Sequence, residues 1–278
     1  MPNADRERLI YRMPYGFGPT SGPRQGPEGK PFDWSTSPRC WTAAASFLTD
    51  PDHLKRFLPP GFELAGEPIV TVDFQILTEL EWLAGRGYSL MTVRFPAAFR
   101  SDQRLVVGNF LPVLWENLAD PILSGREELG MAKLWCELPP PLLLRDRIVC
   151  KASWLSHEFA TLELDHLEEA EKRLPVHPGL VDRRSEGTLH YKYIPKTGDW
   201  GQADVAYACI TPPTGTVAVE RLRRGRGRIR FHPTSWEQMP TQFHIVSALA
   251  ALPILEERDA WCVETRGGSD LSLQRALT

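Results

Sequence analysis

The sequence predicts an α+β domain dominated by a mainly antiparallel β-sheet closed on itself. Val70, Val72, Phe74 and Ile76 alternate with Thr71, Asp73 and Gln75, the period of two expected of a strand. Comparable runs recur at short spacing over 88–95, 106–115, 148–154, 159–164, 189–194, 205–210 and 217–231, whereas helix signals are few and short.

Taken in order, residues 14–38 are dense in Gly and Pro and have no hydrophobic period, which excludes a helix or a central strand. Phe17, Phe32 and Trp34 would be poorly placed in water, so 1–38 reads as an N-terminal arm, either a free tail or a strap over a neighbouring subunit. Residues 39–278 read as a single domain. Thr49-Asp50-Pro51 starts a helix that runs through Leu54 and Phe57 and stops at Pro59-Pro60-Gly61. Arg224-Gly225 reads as a hairpin turn inside 217–231. A short helix is expected over 167–173, and 242–252 suits a helix or a strand equally.

The 278 residues are 42% hydrophobic and 24% charged with a formal net charge of −3, an ordinary globular balance with no global attraction for nucleic acid or an acidic membrane. The arginines of 221–230 alternate with Leu222, Gly225, Gly227 and Ile229 and have no interleaved aromatics, so they read as one solvated face. No segment approaches the roughly 20 apolar residues of a membrane span, and Met1 to Arg8 lacks the apolar stretch of a signal peptide. Five scattered cysteines without a Cys-x-x-Cys pair point to free thiols and a cytoplasmic protein. His157, His166, His177 and His190 show no metal-ligand spacing.

The chemically informative stretch runs from Asp120 to Pro139. Ser124 and Glu127 have capping-box spacing and Gly130 suits a helix end, so a helix of one or two turns is expected to lead into a strand over 131–138. Lys133 would enter that strand among Met131, Ala132, Leu134 and Trp135, apolar company that favours a neutral, nucleophilic amine. The ordinary alternative is a lysine whose stem packs while its head reaches water.

Gly125-Arg126-Glu127, followed six residues later by Lys133, resembles the signature of the acetoacetate decarboxylase superfamily. Arg39 ahead of a short helix ending in proline, the run Val72-Asp-Phe-Gln-Ile76, and His244-Ile245 followed by Pro253 extend the likeness. The resemblance implies a cone-shaped β-barrel with a closed apolar cavity, subunits that form homo-oligomers, and Lys133 as a Schiff-base nucleophile needing neither metal nor organic cofactor. It makes Arg39 a carboxylate clamp and Gln75 a polar cavity residue, with Tyr88 as hydrogen-bond donor or acid. Arg126, Glu127, Glu128 and His244 are supporting residues, though His244 reads more readily as a satisfied core histidine than as a base.

Two departures bear on the reaction. The family's second lysine is replaced by Leu134, and the glutamate expected near Tyr88-Ser89-Leu90 is replaced by Leu90. The expectation is therefore a lyase acting on a small oxo acid, with aldolase or dehydratase chemistry on a pyruvate-like 2-oxo acid ahead of β-keto acid decarboxylation. A barrel that binds a small acid without turning it over is the non-enzymatic alternative.

Overall fold

The computed structural model describes residues 9–101, 104–180, 185–213 and 217–277; the stretch Met1 to Arg8, read above for a signal peptide, lies outside them. The first half holds β1 (Arg39–Leu48), α1 (Pro51–Lys55), β2 (Phe62–Leu64), β3 (Ile69–Leu80), β4 (Arg86–Arg100), β5 (Leu105–Glu116), α2 (Ala119–Ser124) and β6 (Lys133–Trp135). The second holds β7 (Leu142–Leu144), β8 (Arg147–Trp154), β9 (His157–Glu169), β10 (Thr188–Pro195), β11 (Ala203–Thr211), β12 (Ala218–Phe231), α3 (Phe243–Ala250), β13 (Glu256–Arg266) and β14 (Arg275–Leu277).

The strands form one 14-stranded mixed sheet, in the order β14-β11-β10-β5-β4-β3-β1-β13-β12-β9-β8-β7, with β2 added to β4 and β6 to β5. Among the described residues, only β5 pairs in parallel, with β10 on one side and with β6. Beyond β6 the backbones of Glu137 and Ser153 exchange hydrogen bonds of 2.7 and 3.0 Å, which ties the β5 region to β8. The buried side chains of Phe95, Trp115, Phe159 and Leu162 belong to one hydrophobic core. Trp115 Nε1 donates to Gln242 Oε1 at 2.7 Å, so a polar bond made inside that core anchors the start of α3. The segment 242–252 is thus helical.

The first helix forms as its sequence dictates. Asp50 Oδ1 accepts from the backbone N–H groups of Asp52 and His53 at 2.8 and 3.1 Å, and Pro51 opens the first turn. β1 lacks a period of two because Ala43, Ala44 and Ala45 are buried on both faces of the sheet.

Three expectations are corrected. Arg224-Gly225 is no turn: β12 is continuous, with a bulge against β9 between Arg224 and Arg226. Gly225 is needed there because a Cβ would lie 2.4 Å from the Asp165 carbonyl oxygen. The helix expected over 167–173 does not form: 167–169 end β9 and 170–173 are irregular, since one isolated turn's worth of helical pattern loses to an existing strand ladder. The capping box at Ser124 does not form either. The helix starts earlier, at Ala119 with Pro121 in its first turn, and the Ser124 hydroxyl donates back to the Asp120 carbonyl at 3.1 Å.

The N-terminal segment from residue 9 to 38 lies against its own chain. Gly268 N–H donates to the Trp34 carbonyl at 2.8 Å, Gly267 N–H to the Pro38 carbonyl at 2.9 Å, and Arg266 Nη1 to the Thr36 carbonyl at 3.1 Å. Phe17 is the exception to the expected burial, being exposed.

Two buried histidines give the fold a definite acid response. Burial pushes His177 down to about 3, with the Arg94 guanidinium adding to the effect, and it pushes His190 down to about 4. Both bind protons more readily when unfolded, where the ordinary value is 6.5. Their contribution to stability is therefore complete above pH 6.5 and is lost as pH falls toward 4. Urea unfolding between pH 7.5 and pH 5 should lose about 1 kcal/mol per pH unit for each histidine, and His177→Gln should flatten the slope by one proton.

Candidate active site

Strand register gathers the polar residues of the site onto one face. Gln75 stands opposite Leu90, Leu90 opposite Glu116, and Leu77 opposite Tyr88. Lys133 pairs in parallel with Leu114, two residues before Glu116, so the lysine and the glutamate project from the same side of the sheet. Cys40, Gln75, Tyr88, Ser124 and Lys133 line a cavity of about 380 Å³, walled on its apolar sides by residues such as Leu77, Trp82 and Leu129.

Lys133 is buried, 7% exposed, and its Nζ donates to Glu116 Oε1 at 2.7 Å. Glu116 is 1% exposed and its Oε2 has no hydrogen-bond partner among the described residues. Burial pushes the Glu116 carboxyl up, and the Lys133 ammonium opposes that shift. Tyr88 is pushed strongly up by burial and then by the negative charges of Glu116 and Cys40, so its phenol stays protonated and can donate.

The motif's glycine has a steric function. From Gly125 to Leu129 the helix widens into a π-turn, which ends at Gly130 in the left-handed conformation, φ +74°. A Cβ on Gly125 would lie 2.1 Å from Lys133 Cε and 2.3 Å from Cδ, so the lysine side chain passes over a bare backbone. Arg126 Nη1 donates to the Lys133 carbonyl at 3.1 Å, and His190 Nδ1 lies 3.3 Å from the Gly130 carbonyl, which holds the other end of the turn.

The remaining expected residues separate into those that reach the cavity and those that do not. Gln75 reaches it, with its Nε2 donating to the buried Asp73 at 2.6 Å. Glu128 reaches it and pairs with Arg12 and Arg24. Glu127 contributes its carbonyl to Lys192 Nζ at 2.7 Å and does not line the cavity. Arg39 lies at the exposed start of β1, 3.8 Å from Glu79 and 3.4 Å from Glu220, and does not line the cavity. His244 is exposed on α3 and stacks edge-on with Phe243, so it belongs neither to the core nor to the cavity.

Sequence reasoning missed Glu116, Arg12 and Arg24. Glu116 had one local signal, as a lone carboxylate directly ending the apolar run 106–115. The two arginines had none, because the chain around them has no period. Among the described residues no group of His, Cys, Asp and Glu is arranged to hold a metal ion, and no helix is long and apolar enough to cross a membrane.

Gly125→Ala tests the steric reading. The variant should fold, because the nearest clash is with a flexible side chain, yet it should displace Lys133 from Glu116. Reductive labelling of Lys133 by a carbonyl compound and borohydride should then fall at least about tenfold, the loss expected when a reacting group is moved by around an ångström. Peptide mass spectrometry of the labelled protein would measure it.

The model of the acetoacetate decarboxylase (ADC) family matches residues 12–259. No curated protein matches the chain by sequence. Among solved structures, acetoacetate decarboxylase from Legionella pneumophila superposes with a TM-score of 0.62 and 18% identity, over 91% of this chain and 92% of that one. The enduracididine biosynthesis enzyme MppR, in complex with pyruvate, superposes with a TM-score of 0.59 and 17% identity, over 91% and 95%. An acetoacetate decarboxylase-like enzyme from Sphingomonas wittichii RW1 gives 0.58 and 15%, over 84% and 92%. These identities establish the fold alone, while the family match spans β1 to β12, the π-turn and the lysine it presents. The chain belongs to the acetoacetate decarboxylase family.

Proposed function

We propose that this protein is a lyase that forms an imine between Lys133 and a small oxo acid, and that Glu116 is the proton partner of that lysine. The observation that carries the reading is the buried 2.7 Å contact between Lys133 Nζ and Glu116 Oε1, with the lysine lining the cavity. Proton transfer to Glu116 leaves the amine lone pair free to attack the ketone carbon. The resulting carbinolamine loses its hydroxyl as water, taking the proton that Glu116 holds, and the iminium remains on Lys133. The sequence needs neither a metal nor an organic cofactor.

The iminium then loses either an α-proton or carbon dioxide. We favour the first, with a pyruvate-like 2-oxo acid as substrate and aldol condensation or dehydration as the outcome. We assign the α-proton to Glu116, which contacts Lys133 although it does not itself line the cavity, and the protonated Tyr88 can donate to an aldehyde acceptor. Gln75 offers an amide, not a charge, at its cavity position, and Leu134 supplies no second ammonium beside the nucleophile. The structural relative MppR has been captured with pyruvate and with the condensation product of pyruvate and imidazole 4-carboxaldehyde. A second reading is β-keto acid decarboxylation: a buried carboxylate at Lys133 would disfavour a substrate carboxylate bound there, and the loss of carbon dioxide would relieve that repulsion.

Two measurements separate these readings. Incubation with pyruvate and borohydride should add mass at Lys133; label on surface lysines alone would sink the imine mechanism. Exchange of pyruvate methyl protons with deuterated water should proceed, vanish in Lys133→Ala, and fall at least about a hundredfold in Glu116→Gln, the scale of a lost general base. Rapid release of carbon dioxide from acetoacetate with no pyruvate exchange would establish the second reading in place of the first.

A further inference from the structure

We propose that Arg12, carried by the N-terminal segment, is the carboxylate clamp of this cavity, with Trp34 as a second donor and with Glu128 and Arg24 as positioning residues. The proposal rests on the oxo-acid reading for the identity of the ligand and on separate residues for its geometry.

The cavity contains three cationic side chains, Arg12, Arg24 and Lys133. Lys133 is engaged by Glu116. Arg12 and Arg24 share a single carboxylate: Arg12 Nη2 bonds Glu128 Oε2, and Arg24 Nη1 lies 2.8 Å from Oε1. Asp270 also borders the cavity and its carboxylate offsets the second guanidinium, so unsatisfied donors and not net charge single out a residue here. Arg24 directs a further donor to the Leu271 carbonyl at 3.3 Å.

Arg12 is different. Its side chain is 16% exposed, and its Nε is fully buried with no acceptor among the described residues. The indole Nε1 of Trp34 is buried and unpartnered in the same way, and Trp34 lines the same cavity. Leaving a buried donor unsatisfied is destabilising, and both of these are donors. Their complement is a ligand that brings acceptors, and a carboxylate brings two oxygens. Arg39, the clamp expected from the sequence, is spent on Glu79 and Glu220 at the surface. The acid-binding function therefore falls to the arm, and Glu128 fastens that arm to the turn that presents Lys133.

The position of Arg12 depends on a glycine in its own segment. A Cβ on Gly22 would lie 2.7 Å from Arg12 Nη1, so Gly22→Ala should move the guanidinium without removing it.

Calorimetric titration of the full chain with lactate and with methyl lactate tests the clamp. Neither ligand can form an imine, so the result is independent of Lys133. Wild-type protein should bind lactate more tightly than its uncharged ester. Arg12→Ala should weaken lactate at least about tenfold and leave the ester unchanged, and Arg12→Lys should recover only part of the loss because it lacks the planar fork. Trp34→Phe should weaken lactate by a smaller factor. Gly22→Ala, whose melting temperature should stay near that of the wild type, should reproduce the Arg12→Ala loss if the alanine variant proves unstable. Equal binding of acid and ester by the wild type would overturn the proposal, as would an acid preference that survives in Arg12→Ala. Lactate binding through Arg12 without borohydride labelling of Lys133 would leave the clamp standing and overturn the imine reading instead.

Discussion

The contact between Lys133 and Glu116 is the constraint around which the site is arranged. Two opposite charges held in a poorly hydrated cavity gain little net stability, because desolvation offsets most of their attraction. Burial pushes the Glu116 carboxyl up, which makes it a better proton acceptor than a carboxylate in water. The sheet supplies the geometry: β6 lies parallel to β5, so residues far apart in sequence face the same side at hydrogen-bond distance. The π-turn supplies the passage, since a side chain on residue 125 would occupy the space that the lysine stem takes.

Seen from this pair, the departures from the family signature have a physical meaning. A second lysine adjacent to the nucleophile would activate it by charge repulsion, and Leu134 cannot. The glutamate expected near Leu90 is absent from β4, yet Glu116 stands directly across from Leu90 on β5 and brings a carboxylate to the lysine from the next strand. A buried carboxylate thus stands at Lys133, while the adjacent position holds Leu134.

Much of this was legible in the sequence, for identifiable reasons. Strands with one solvated face, such as β10 and the start of β11, wrote an alternation that survives without any tertiary information. The Gly-Arg-Glu segment and Lys133 were legible because a steric requirement between residues close in sequence leaves a local spacing. Glu116 was not, because its partner is chosen by strand pairing and nothing in the sequence near it points to residue 133. Arg39 misled for the complementary reason: an arginine before a helix matches the family's opening, while the acids that capture it, Glu79 and Glu220, lie elsewhere in the chain. Arg12 was hidden in a stretch whose Gly and Pro content announces only irregular backbone.

The shortness of β6 has a consequence for how the protein fails on warming. Three residues hold Lys133 against β5, and they pair outside the main path of the sheet. Amide groups in so small a unit open far more often than those of β4 or β12, whose ladders run along both of their edges. Each opening separates the lysine from its carboxylate while the bulk of the sheet stays intact. Catalytic competence and global folding are therefore different cooperative events in this chain, and the first has the smaller free energy. Activity measured against temperature will fade below the melting transition seen by circular dichroism, and will return on cooling.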